Sequence, residues 1–548
     1  MSVGTELSEI ALETLEELAP SVRKFAVCAI GPSVYAKPGS FAGHDFLIVC
    51  EGYASGLKAQ RRVANGDEAR FLLVERELVE SDINKGTLGD FLTEKFLYLY
   101  RPVANSDYVE TLGVQAKTRV VKEEVKELVL QYGEMCRGLV AKPEFFCLSK
   151  MRKRARVLLP SLEDYLRFSD PAVRDRNLAE LRESTRKALE STKLDIVELD
   201  DEHVNIPDST VDRWLKGRSS EQVVNIMTQS RRALYTYLAK GRAVFLDLDL
   251  LARELYSPLK LGLDPTLVGR EPEDPKNHLY LRTAQHLVPF NDRSSLEDVA
   301  SRLGPGRPIT ISPLAGVLNE VFLVTLGKNQ FVAKRFTDWH GFKWFTLNLV
   351  SFGSKIFALS GRTRMTNEYG TNRYLSKKGL KVPQIVHASV KQRILVEEYV
   401  SGTPMNQFVS QALAQSTLTR PQYHLAESLG ESLAFTHQVG VAVGDSKPEN
   451  FVAKEGEIFT VDLEQAGKHG DYAWDIAELL YYAGHYSTTP TPTGGLSELI
   501  EAFTRGYARR GDASELRRAA GARYIKVFSL WTAAPIILEI SRSLRSAG

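Results

Sequence analysis

Short apolar runs rich in β-branched residues predict a small mixed sheet near the start of the chain. The first two, Phe25 to Ile30 and Phe46 to Cys50, are separated by a loop of Gly, Pro and Ser residues, and a third runs from Phe71 to Val74. From Val120 to Leu139 the apolar residues instead recur at helical spacing among Lys and Glu, which indicates an amphipathic helix. We therefore expect an α/β domain over residues 1–145.

The next part of the chain, residues 146–260, has a mainly helical pattern. A helix that begins near Asn177 is followed by two strand-like runs, Asp195 to Leu199 and His203 to Ile206. A helix followed by a two-stranded ribbon is the outline of a winged helix, although any α+β fragment gives the same pattern. A further amphipathic helix is expected over Glu221 to Lys240.

Many Pro and Gly residues mark the stretch from Leu261 to Pro313, and we interpret residues 261–309 as a linker between domains. Within it, Ser294 to Glu297 offers a capping box for one short helix. Strand and helix patterns then alternate through residues 310–548, so the chain as a whole is predicted to be multidomain α+β. These patterns are a strand, turn and strand from Leu314 to Val324, strands at Phe331 to Phe336 and Arg393 to Val400, and helices at Asn367 to Lys378 and Tyr423 to Gln438.

Length and composition exclude several classes of protein. A chain of 548 residues is too long for one core, and 43% hydrophobic with 25% charged residues argues against a disordered or fibrous protein. The formal net charge of +2 gives no overall attraction to nucleic acid or membranes. The four cysteines are widely spaced, the N terminus lacks a signal-peptide pattern, and no apolar segment is long enough to span a bilayer. We expect a cytoplasmic protein.

The most informative residues surround two apolar runs near residue 450. Asp445 is followed five residues later by Asn450, and Asp462 ends the next apolar run. These are the groups that a phosphoryl-transfer site needs to orient an acceptor hydroxyl and hold a metal ion. In this interpretation Asp445 accepts or orients the hydroxyl proton, Asn450 and Asp462 bind Mg²⁺ or Mn²⁺, and Lys447 neutralises charge on the transferred phosphoryl group.

Candidates for nucleotide binding precede this segment. Lys334 ends an apolar strand, where a lysine can contact α- and β-phosphates, and Glu368 lies on the following helix, where it can pair with that lysine. The alternatives are a strand lysine that faces water and a glutamate that complements the helix dipole. The strand that ends at Glu398 and Tyr399 predicts a hinge whose backbone can hydrogen-bond an adenine edge. The ordered set indicates a kinase that uses ATP.

Residues 310–548 resemble the protein-kinase-like superfamily. The segment from Asp445 to Asn450, DSKPEN, matches the D-x-K-P-E-N of Ser/Thr protein kinases. Three features are more similar to RIO-type, tRNA-complex-associated and aminoglycoside-phosphotransferase-like kinases: the short lobes, Val382-Pro383 after the helix, and Trp474 to Ala477 soon after Asp462. The resemblance implies a bilobal kinase-like fold, a phosphate-covering loop at Gly316, and an Asp475 that anchors the catalytic loop through backbone amides.

The chain departs from this family at three places. Val443 replaces the usual loop histidine, so a hydrogen bond that braces the loop is expected to be missing. Asp462-Leu463-Glu464 replaces Asp-Phe-Gly, and Gly316 alone remains of the phosphate-covering glycines. The expected function is that of an ATP- and Mg²⁺-dependent Ser/Thr protein kinase with a protein acceptor. Two alternatives stay open: a small-molecule kinase, and a nucleic-acid-binding regulatory protein with a pseudokinase nucleotide sensor.

The first 145 residues resemble the nucleotidyltransferase fold. Gly39-Ser40 and Asp45 stand where that fold has a Gly-Ser turn and an Asp-x-Asp strand, but the position of the second Asp is Gly43 or Leu47. Glu75 or Glu77 on the next strand would have to compensate. Because two-metal catalysis needs clustered carboxylates, the resemblance implies a degenerate nucleotidyltransferase-like domain.

A dense positive run follows this domain. The cations are Lys150, Arg152, Lys153, Arg154 and Arg156. Such a run predicts salt-dependent contact with nucleic-acid phosphates, with a solvated helix face as the alternative.

Overall fold

The computed structural model describes residues 25–40, 43–64, 67–216, 271–314, 319–338, 358, 360–530 and 532–547. The chain is mixed α/β and divides into two compact units. The first unit contains residues 1–131 and 140–279, and the second contains residues 132–139 and 280–548. The helix predicted over Glu221 to Lys240 lies outside the described residues.

The first unit is built around a mixed five-stranded sheet, as the apolar runs predict. Its strands are β1 (Phe25–Ile30), β2 (His44–Cys50), β3 (Leu57–Ala64), β4 (Asp67–Glu75) and β5 (Arg101–Ala104). Their order is β3-β4-β2-β1-β5, with β2 and β4 parallel and the other neighbours antiparallel. Val27 packs into an apolar cluster on one face, and the next residue, Cys28, packs into a different cluster on the other. Burial on both faces explains why the runs are continuous rather than alternating.

Strand β3 is the element of this sheet that the sequence does not predict. It pairs only with β4, at the edge of the sheet, and most of its side chains are polar or partly exposed. Val63 on this strand is 67% exposed. An edge strand that buries few side chains has no clear apolar pattern by which to recognise it.

Helices pack on one face of this sheet and continue beyond it. They are α1 (Pro32–Tyr35), α2 (Arg76–Lys85), α3 (Thr93–Leu97), α4 (Ser106–Tyr132), α5 (Glu144–Ala155), α6 (Leu159–Phe168), α7 (Arg174–Thr192) and α8 (Asp208–Leu215). Helix α4 begins well before the predicted Val120 because its first turns bury Val109, Leu112 and Ala116 against the sheet. It ends at Tyr132, where a 3-10 turn over Gly133–Gly138 begins.

Three short strands accompany the later helices of this unit. They are β6 (Leu139–Ala141), β7 (Glu198–Leu199) and β8 (Val204–Asn205). Strands β7 and β8 form an antiparallel ribbon after α7, and β8 also pairs with β6. The predicted helix and ribbon are therefore present, and a winged helix stays a prediction.

The carboxylate on which the nucleotidyltransferase resemblance depends has a protein partner. Asp45 on β2 forms a two-point ion pair with Arg70 on β4, at 2.6 and 2.8 Å. Glu75, at the end of β4, accepts backbone hydrogen bonds from Gly52 and Tyr53. Both carboxylates thus have structural partners, and the resemblance stays a prediction.

The positive run of residues 150–156 is largely neutralised inside the first unit. Lys150 pairs with Asp90 and Glu123 at 2.8 and 3.0 Å, Lys153 with Glu124 and Glu127 at 2.6 and 2.8 Å, and Arg154 with Glu94 at 2.9 Å. Arg152 donates to two backbone carbonyls, and Arg156 is exposed. The structure therefore corrects the prediction of a nucleic-acid contact: α5 packs its basic residues against carboxylates, so four of the five cations already have partners.

A buried ion-pair network joins α5 to the end of this unit. Glu144, at the start of α5, accepts hydrogen bonds from Arg182 at 2.7 and 2.9 Å and lies 3.0 Å from Nδ1 of His278. Nε2 of His278 is 3.3 Å from Glu273, which Arg174 approaches at 4.0 Å. Burial lowers the pKa of His278, but Glu144 and Glu273 outweigh it, and the net shift is upward from 6.5.

Replacing His278 with glutamine is expected to destabilise the first unit in a pH-dependent way. Because the folded-state pKa is raised, the stabilisation by protonated His278 is fully present below pH 6.5 and is lost as the pH rises through the folded-state pKa. The difference in free energy of unfolding between wild type and H278Q should therefore shrink as the pH rises. Urea unfolding of both proteins between about pH 5.5 and 8.5 measures it. A difference independent of pH would contradict the assigned role.

The described part of residues 261–309 contains several short elements. They are a 3-10 turn (Pro275–His278), β9 (Leu279–Arg282), β10 (Leu287–Pro289) and α9 (Leu296–Leu303). Helix α9 begins with a capping box between Ser295 and Asp298, one residue later than the box predicted over Ser294 to Glu297. Pro275 opens the turn and Gly304 follows α9, so here these residue types mark boundaries between short elements.

The second unit contains an antiparallel five-stranded sheet. Its strands are β11 (Ile309–Leu314), β12 (Glu320–Leu326), β13 (Asn329–Arg335), β14 (Ile385–Ser389) and β15 (Ile394–Glu398), in the order β11-β12-β13-β15-β14. One face carries Val324, Ala333 and Val396 and packs against Val299 and Ala300 of α9. Helix α10 (Gly361–Lys377) lies between β13 and β14 in the chain. The strands on either side of α10 bring Lys334 and the predicted hinge into one sheet.

Helices and small hairpins form the rest of this unit. The helices are α11 (Met405–Leu413), α12 (Arg420–Gln438), α13 (Tyr472–Ala483), α14 (Gly494–Ala508), α15 (Ala513–Ala519), α16 (Ala522–Phe528) and α17 (Ala534–Ser546), and the strands are β16 (Thr403–Pro404), β17 (Val441–Ala442), β18 (Phe451–Lys454), β19 (Glu457–Thr460) and β20 (Gly467–Lys468). Phe408, Leu433, Ile476 and Phe503 contribute to its core. Within the described ranges, no helix is long and apolar enough to cross a bilayer.

Candidate active site

Lys334 lies on the face of the five-stranded sheet opposite α9. It pairs with Val321 of β12 and Leu395 of β15, whereas its neighbour Ala333 points into the core against α9. Side chains alternate along a strand, so Lys334 projects from the other face. Its side chain is only 8% exposed, which excludes the alternative of a lysine that faces water.

Helix α10 supplies the partner of this lysine. Nζ of Lys334 donates to Oε1 of Glu368 at 2.9 Å, and Oε2 of Glu368 accepts from the backbone N–H of Leu463 at 2.7 Å. Because α10 begins at Gly361 rather than near Asn367, Glu368 lies in the middle of the helix. The alternative of a first-turn glutamate does not apply. Glu368 thus ties Lys334 to the segment that carries Asp462.

Three carboxylates surround the ammonium group of Lys334. Besides Glu368, Oδ1 of Asp462 lies at 3.7 Å and Oε2 of Glu397 at 3.6 Å, and the ammonium also donates to the carbonyl of Val461 at 3.0 Å. Burial alone lowers the pKa of Lys334, but the three carboxylates outweigh it and raise its pKa well above the usual range for lysine. Lys334 is therefore positively charged, and burial raises the pKa of two of the acids around it, Glu368 and Glu397.

A buried aspartate holds the loop that contains Asp445. The two carboxylate oxygens of Asp475, on α13, accept from the backbone N–H groups of Gly444 at 2.8 Å and Val443 at 2.7 Å. This confirms the backbone anchoring expected of Asp475. His437 at the end of α12 adds a contact of 3.0 Å from Nε2 to Asp475, and its Nδ1 is 2.7 Å from the hydroxyl of Tyr507. A histidine therefore does brace this loop through Asp475, but it is His437 of the preceding helix and not a residue at position 443.

The next residue of the loop is fixed in the same way. The N–H of Ser446 donates to Glu478 at 2.8 Å, and its hydroxyl donates to the carbonyl of Asp475 at 2.7 Å. Trp474 also donates to Glu478, at 3.1 Å. Ser446 is fully buried, whereas the side chain of Asp445 is 21% exposed. The anchoring leaves Asp445 at the surface of a rigid loop.

Lys447 neutralises Asp445 in this structure. Its Nζ lies 2.8 Å from Oδ1 of Asp445 and 5.7 Å from the centre of the Tyr482 ring. Burial opposes the charge of Lys447, but Asp445 and Glu478 outweigh that effect and raise its pKa. Asp445 and Lys447 thus place a carboxylate and an ammonium group side by side, where one bound substrate can contact both.

Asn450 and Asp462 flank the hairpin of β18 and β19. Nδ2 of Asn450 donates to the carbonyl of Asp445 at 2.8 Å, and the carbonyl of Asn450 accepts from the N–H of Val461 at 3.0 Å. The amide contact orients the Asn450 side chain, and Asp462 remains 32% exposed. One carboxylate and one carboxamide oxygen suit Mg²⁺, which binds few protein oxygens and keeps water and substrate phosphates as further ligands. In the described part of the chain, no group of three His, Cys, Asp or Glu residues could hold a metal by itself.

Glu464 fills the position of the last glycine in Asp-Phe-Gly. It is buried and contacts Arg364 at 3.1 Å and Asn319 at 2.6 Å. Arg364 is fully buried and also donates to Asn319 and to the carbonyl of Thr337. This replacement is therefore part of a closed polar network beside Asp462, which fixes the segment instead of leaving it flexible.

Three further residues are predicted to bind the nucleotide, namely Gly316, Glu398 and Tyr399. Gly316 lies outside the described residues. At the hinge, the N–H of Glu398 donates to Gln384 at 2.9 Å and the N–H of Tyr399 donates to Gln330 at 3.1 Å. Both N–H groups thus have backbone partners within the second unit, and contact between the hinge backbone and an adenine edge stays a prediction.

The sequence does not predict three residues of the site, which are His437, Glu478 and Glu397. His437 and Glu478 contact the Asp445 loop from helices, so no spacing within the loop reveals them. Glu397 did leave a signal, since an acidic residue follows three consecutive apolar residues at Ile394, Leu395 and Val396. Charged residues are almost never fully buried without a partner or a function.

Comparisons with known proteins give low similarity. No protein-family model matches the chain. KEOPS complex subunit Bud32 of Pyrococcus abyssi (strain GE5 / Orsay) is 22% identical over 85 residues, which are 16% of this chain and 36% of the Bud32 sequence. The chain thus matches little more than a third of the length of that relative.

Among solved structures, WaaP in complex with acyl carrier protein is 16% identical with a TM-score of 0.28, and covers 45% of this chain and 95% of its own. A microcompartment-associated aminopropanol kinase is 13% identical with a TM-score of 0.26, and covers 46% of this chain and 94% of its own. Similarity at this level does not establish a family for the chain.

Proposed function

We propose that residues 310–548 form a protein-kinase-like domain that transfers the γ-phosphoryl group of ATP in a Mg²⁺-dependent reaction. The observation that carries this proposal is the connected set of Lys334, Glu368 and Asp462, in which one lysine lies 2.9 Å from the first carboxylate and 3.7 Å from the second. A phosphoryl-transfer site needs a fixed cation for the phosphates and a carboxylate for the metal ion. The 85-residue similarity to Bud32 agrees with this proposal, but it gives no information about the substrate.

Each side chain has one task in the proposed reaction. Lys334, held by Glu368, binds phosphate oxygens of the nucleotide, and Asp462 and Asn450 hold Mg²⁺, which neutralises phosphate charge when bound. Asp445 orients the acceptor hydroxyl and takes its proton, for which its partly exposed carboxylate is suited. Lys447 releases Asp445 to the acceptor and turns its charge toward the transferred phosphoryl group.

We infer a Ser or Thr hydroxyl of a protein as the acceptor, as the DSKPEN loop suggests. Only twelve residues separate Asp462 from Asp475, and they include β20 and the buried Glu464 network. This connection is too short for a long activation segment, so the kinase would act without one.

Transfer from radiolabelled Mg-ATP to a panel of proteins and a panel of small alcohols tests the proposal. We expect label on proteins, with the rate reduced about 10²-fold or more in Lys334→Ala, because one preorganised charged contact is worth roughly that much. Lys381→Ala is the matched control, since Lys381 pairs with Glu457 at 3.0 Å and is 47% exposed.

Three results would change the assignment. Label on alcohols alone would identify a small-molecule kinase. Transfer that survives Lys334→Ala would contradict the phosphate-binding role of Lys334. No transfer to either panel would contradict an active phosphotransferase and leave nucleotide sensing as the function of the site.

A further inference from the structure

Glu397 is a buried acid on the nucleotide face of the sheet. It lies on β15 opposite Val332, and Leu395 on the same strand lies opposite Lys334. Residues two apart on a strand share a face, so Glu397 projects on the same side as Lys334 and away from Val396, which packs on α9. The residue is 1% exposed.

In the part of the chain that the structure describes, one oxygen of this buried carboxyl group lacks a hydrogen-bond partner. Oε2 lies 3.6 Å from Nζ of Lys334, whereas the buried Oε1 has no partner among the described residues. Leaving a buried acceptor unsatisfied costs about 1–3 kcal/mol. Lys334 already has Glu368 at 2.9 Å, so Glu397 is not needed to hold it. A buried acceptor without a partner beside a substrate-binding lysine points to a donor on the substrate.

The position of Glu397 separates it from the phosphate contact. It lies two residues beyond Leu395, the partner of Lys334, which is about 7 Å along the strand and toward the predicted hinge at Glu398 and Tyr399. The phosphates belong at Lys334, so the group near Glu397 belongs to the base end of the nucleotide.

We propose that Glu397 selects adenine by accepting a hydrogen bond from its 6-amino group. This inference rests on the proposed nucleotide site. Adenine presents an amino donor beside the N7 acceptor, whereas guanine presents O6 and N7, which are both acceptors. An ionised Glu397 accepts from adenine and repels O6 of guanine. Burial raises the pKa of Glu397, with Lys334 opposing the rise, and a protonated carboxyl group still matches adenine better, since it can accept from the amino group while donating to N7.

The ratio of two dissociation constants tests this role. Calorimetric titration of wild type, Glu397→Gln and Glu397→Leu with Mg-ATP and Mg-GTP gives the GTP/ATP ratio of Kd for each protein. We expect a ratio of about 10 or more for wild type, as one specific base contact supplies. The ratio should fall at least about fivefold in E397L, which has no acceptor, and also in E397Q, whose amide can donate to O6 of guanine. Glu457→Gln, an exposed glutamate that pairs with Lys381, is the control and should keep the wild-type ratio.

A second measurement needs no substitution in the protein. Purine riboside triphosphate lacks the 6-amino group, and we expect wild type to bind it about 10-fold more weakly than ATP. In the titrations of the variants, both dissociation constants of each GTP/ATP ratio are measured on the same protein. Partial unfolding of a variant therefore affects both constants equally and cancels from the ratio. Equal binding of ATP and purine riboside triphosphate, or an unchanged GTP/ATP ratio in both Glu397 variants, would overturn the role of Glu397 while leaving the nucleotide site intact. Absence of all nucleotide binding to wild type would overturn the proposed function and this inference with it.

Discussion

Replacing Asp445 with asparagine is expected to lower the rate of phosphoryl transfer by about 10²- to 10⁴-fold, the usual contribution of a general base. Asparagine keeps the shape of the side chain but cannot take the hydroxyl proton. Lys334, Glu368 and Asp462 are untouched by the change, so the affinity for Mg-ATP should stay within a few-fold of wild type. The loop itself should persist, because Asp475 and Glu478 anchor it through Val443, Gly444 and Ser446.

Single-turnover transfer and calorimetric binding of Mg-ATP, measured on the same preparation, separate the two effects of D445N. Asp512→Asn is the matched control, because Asp512 caps α15 at the surface and asparagine caps helices equally well. Wild-type turnover in D445N would exclude Asp445 as the base. Loss of binding together with turnover would assign it a role in nucleotide binding instead.

Replacing Asp475 with asparagine is expected to destabilise the second unit by about 2–4 kcal/mol and to abolish transfer. Asp475 is fully buried, and its two oxygens accept from Val443, Gly444 and His437. Asparagine offers one accepting oxygen, and its NH₂ group would face a backbone N–H. One buried donor would then lose its partner, and the loop that carries Asp445 would lose its fixed position.

Urea unfolding of D475N, followed by a signal from the second unit, measures this loss, with Asp512→Asn again as the control. The affinity for Mg-ATP should fall less than the transfer rate, because Lys334 and Glu368 are on other elements. Wild-type stability in D475N would contradict the anchoring role of Asp475, and so would full transfer activity.

The sequence predicts the residues of the site better than their surroundings. Lys334, Glu368 and Asp462 are recognisable because each has a required chemical type at a required place in the order of elements. The hydrogen bonds of Asp475 follow from the same resemblance. His437 and Glu478 are not recognisable, because they reach the loop from helices whose packing depends on the whole fold.

The positive run of residues 150–156 shows where prediction from the sequence fails. Lys150, Lys153 and Arg154 form a dense cationic segment in the sequence, yet the packing of α5 places carboxylates from distant positions beside them. Charge along a chain predicts a surface potential only where the side chains remain in solvent. Strand β3 escapes prediction for a related reason, since an edge strand need not show an apolar pattern.

The most direct test of a nucleotide site around Lys334 is the effect of Mg-ATP on the melting temperature of the full chain. At about 100 times Kd, Mg-ATP should stabilise the second unit by about 2.7 kcal/mol, which raises its Tm by about 5 °C for a unit of this size. The rise should require Mg²⁺ and should disappear in Lys334→Ala and Asp462→Ala but not in Lys381→Ala. No rise in wild type, or a rise that survives both site substitutions, would contradict the site.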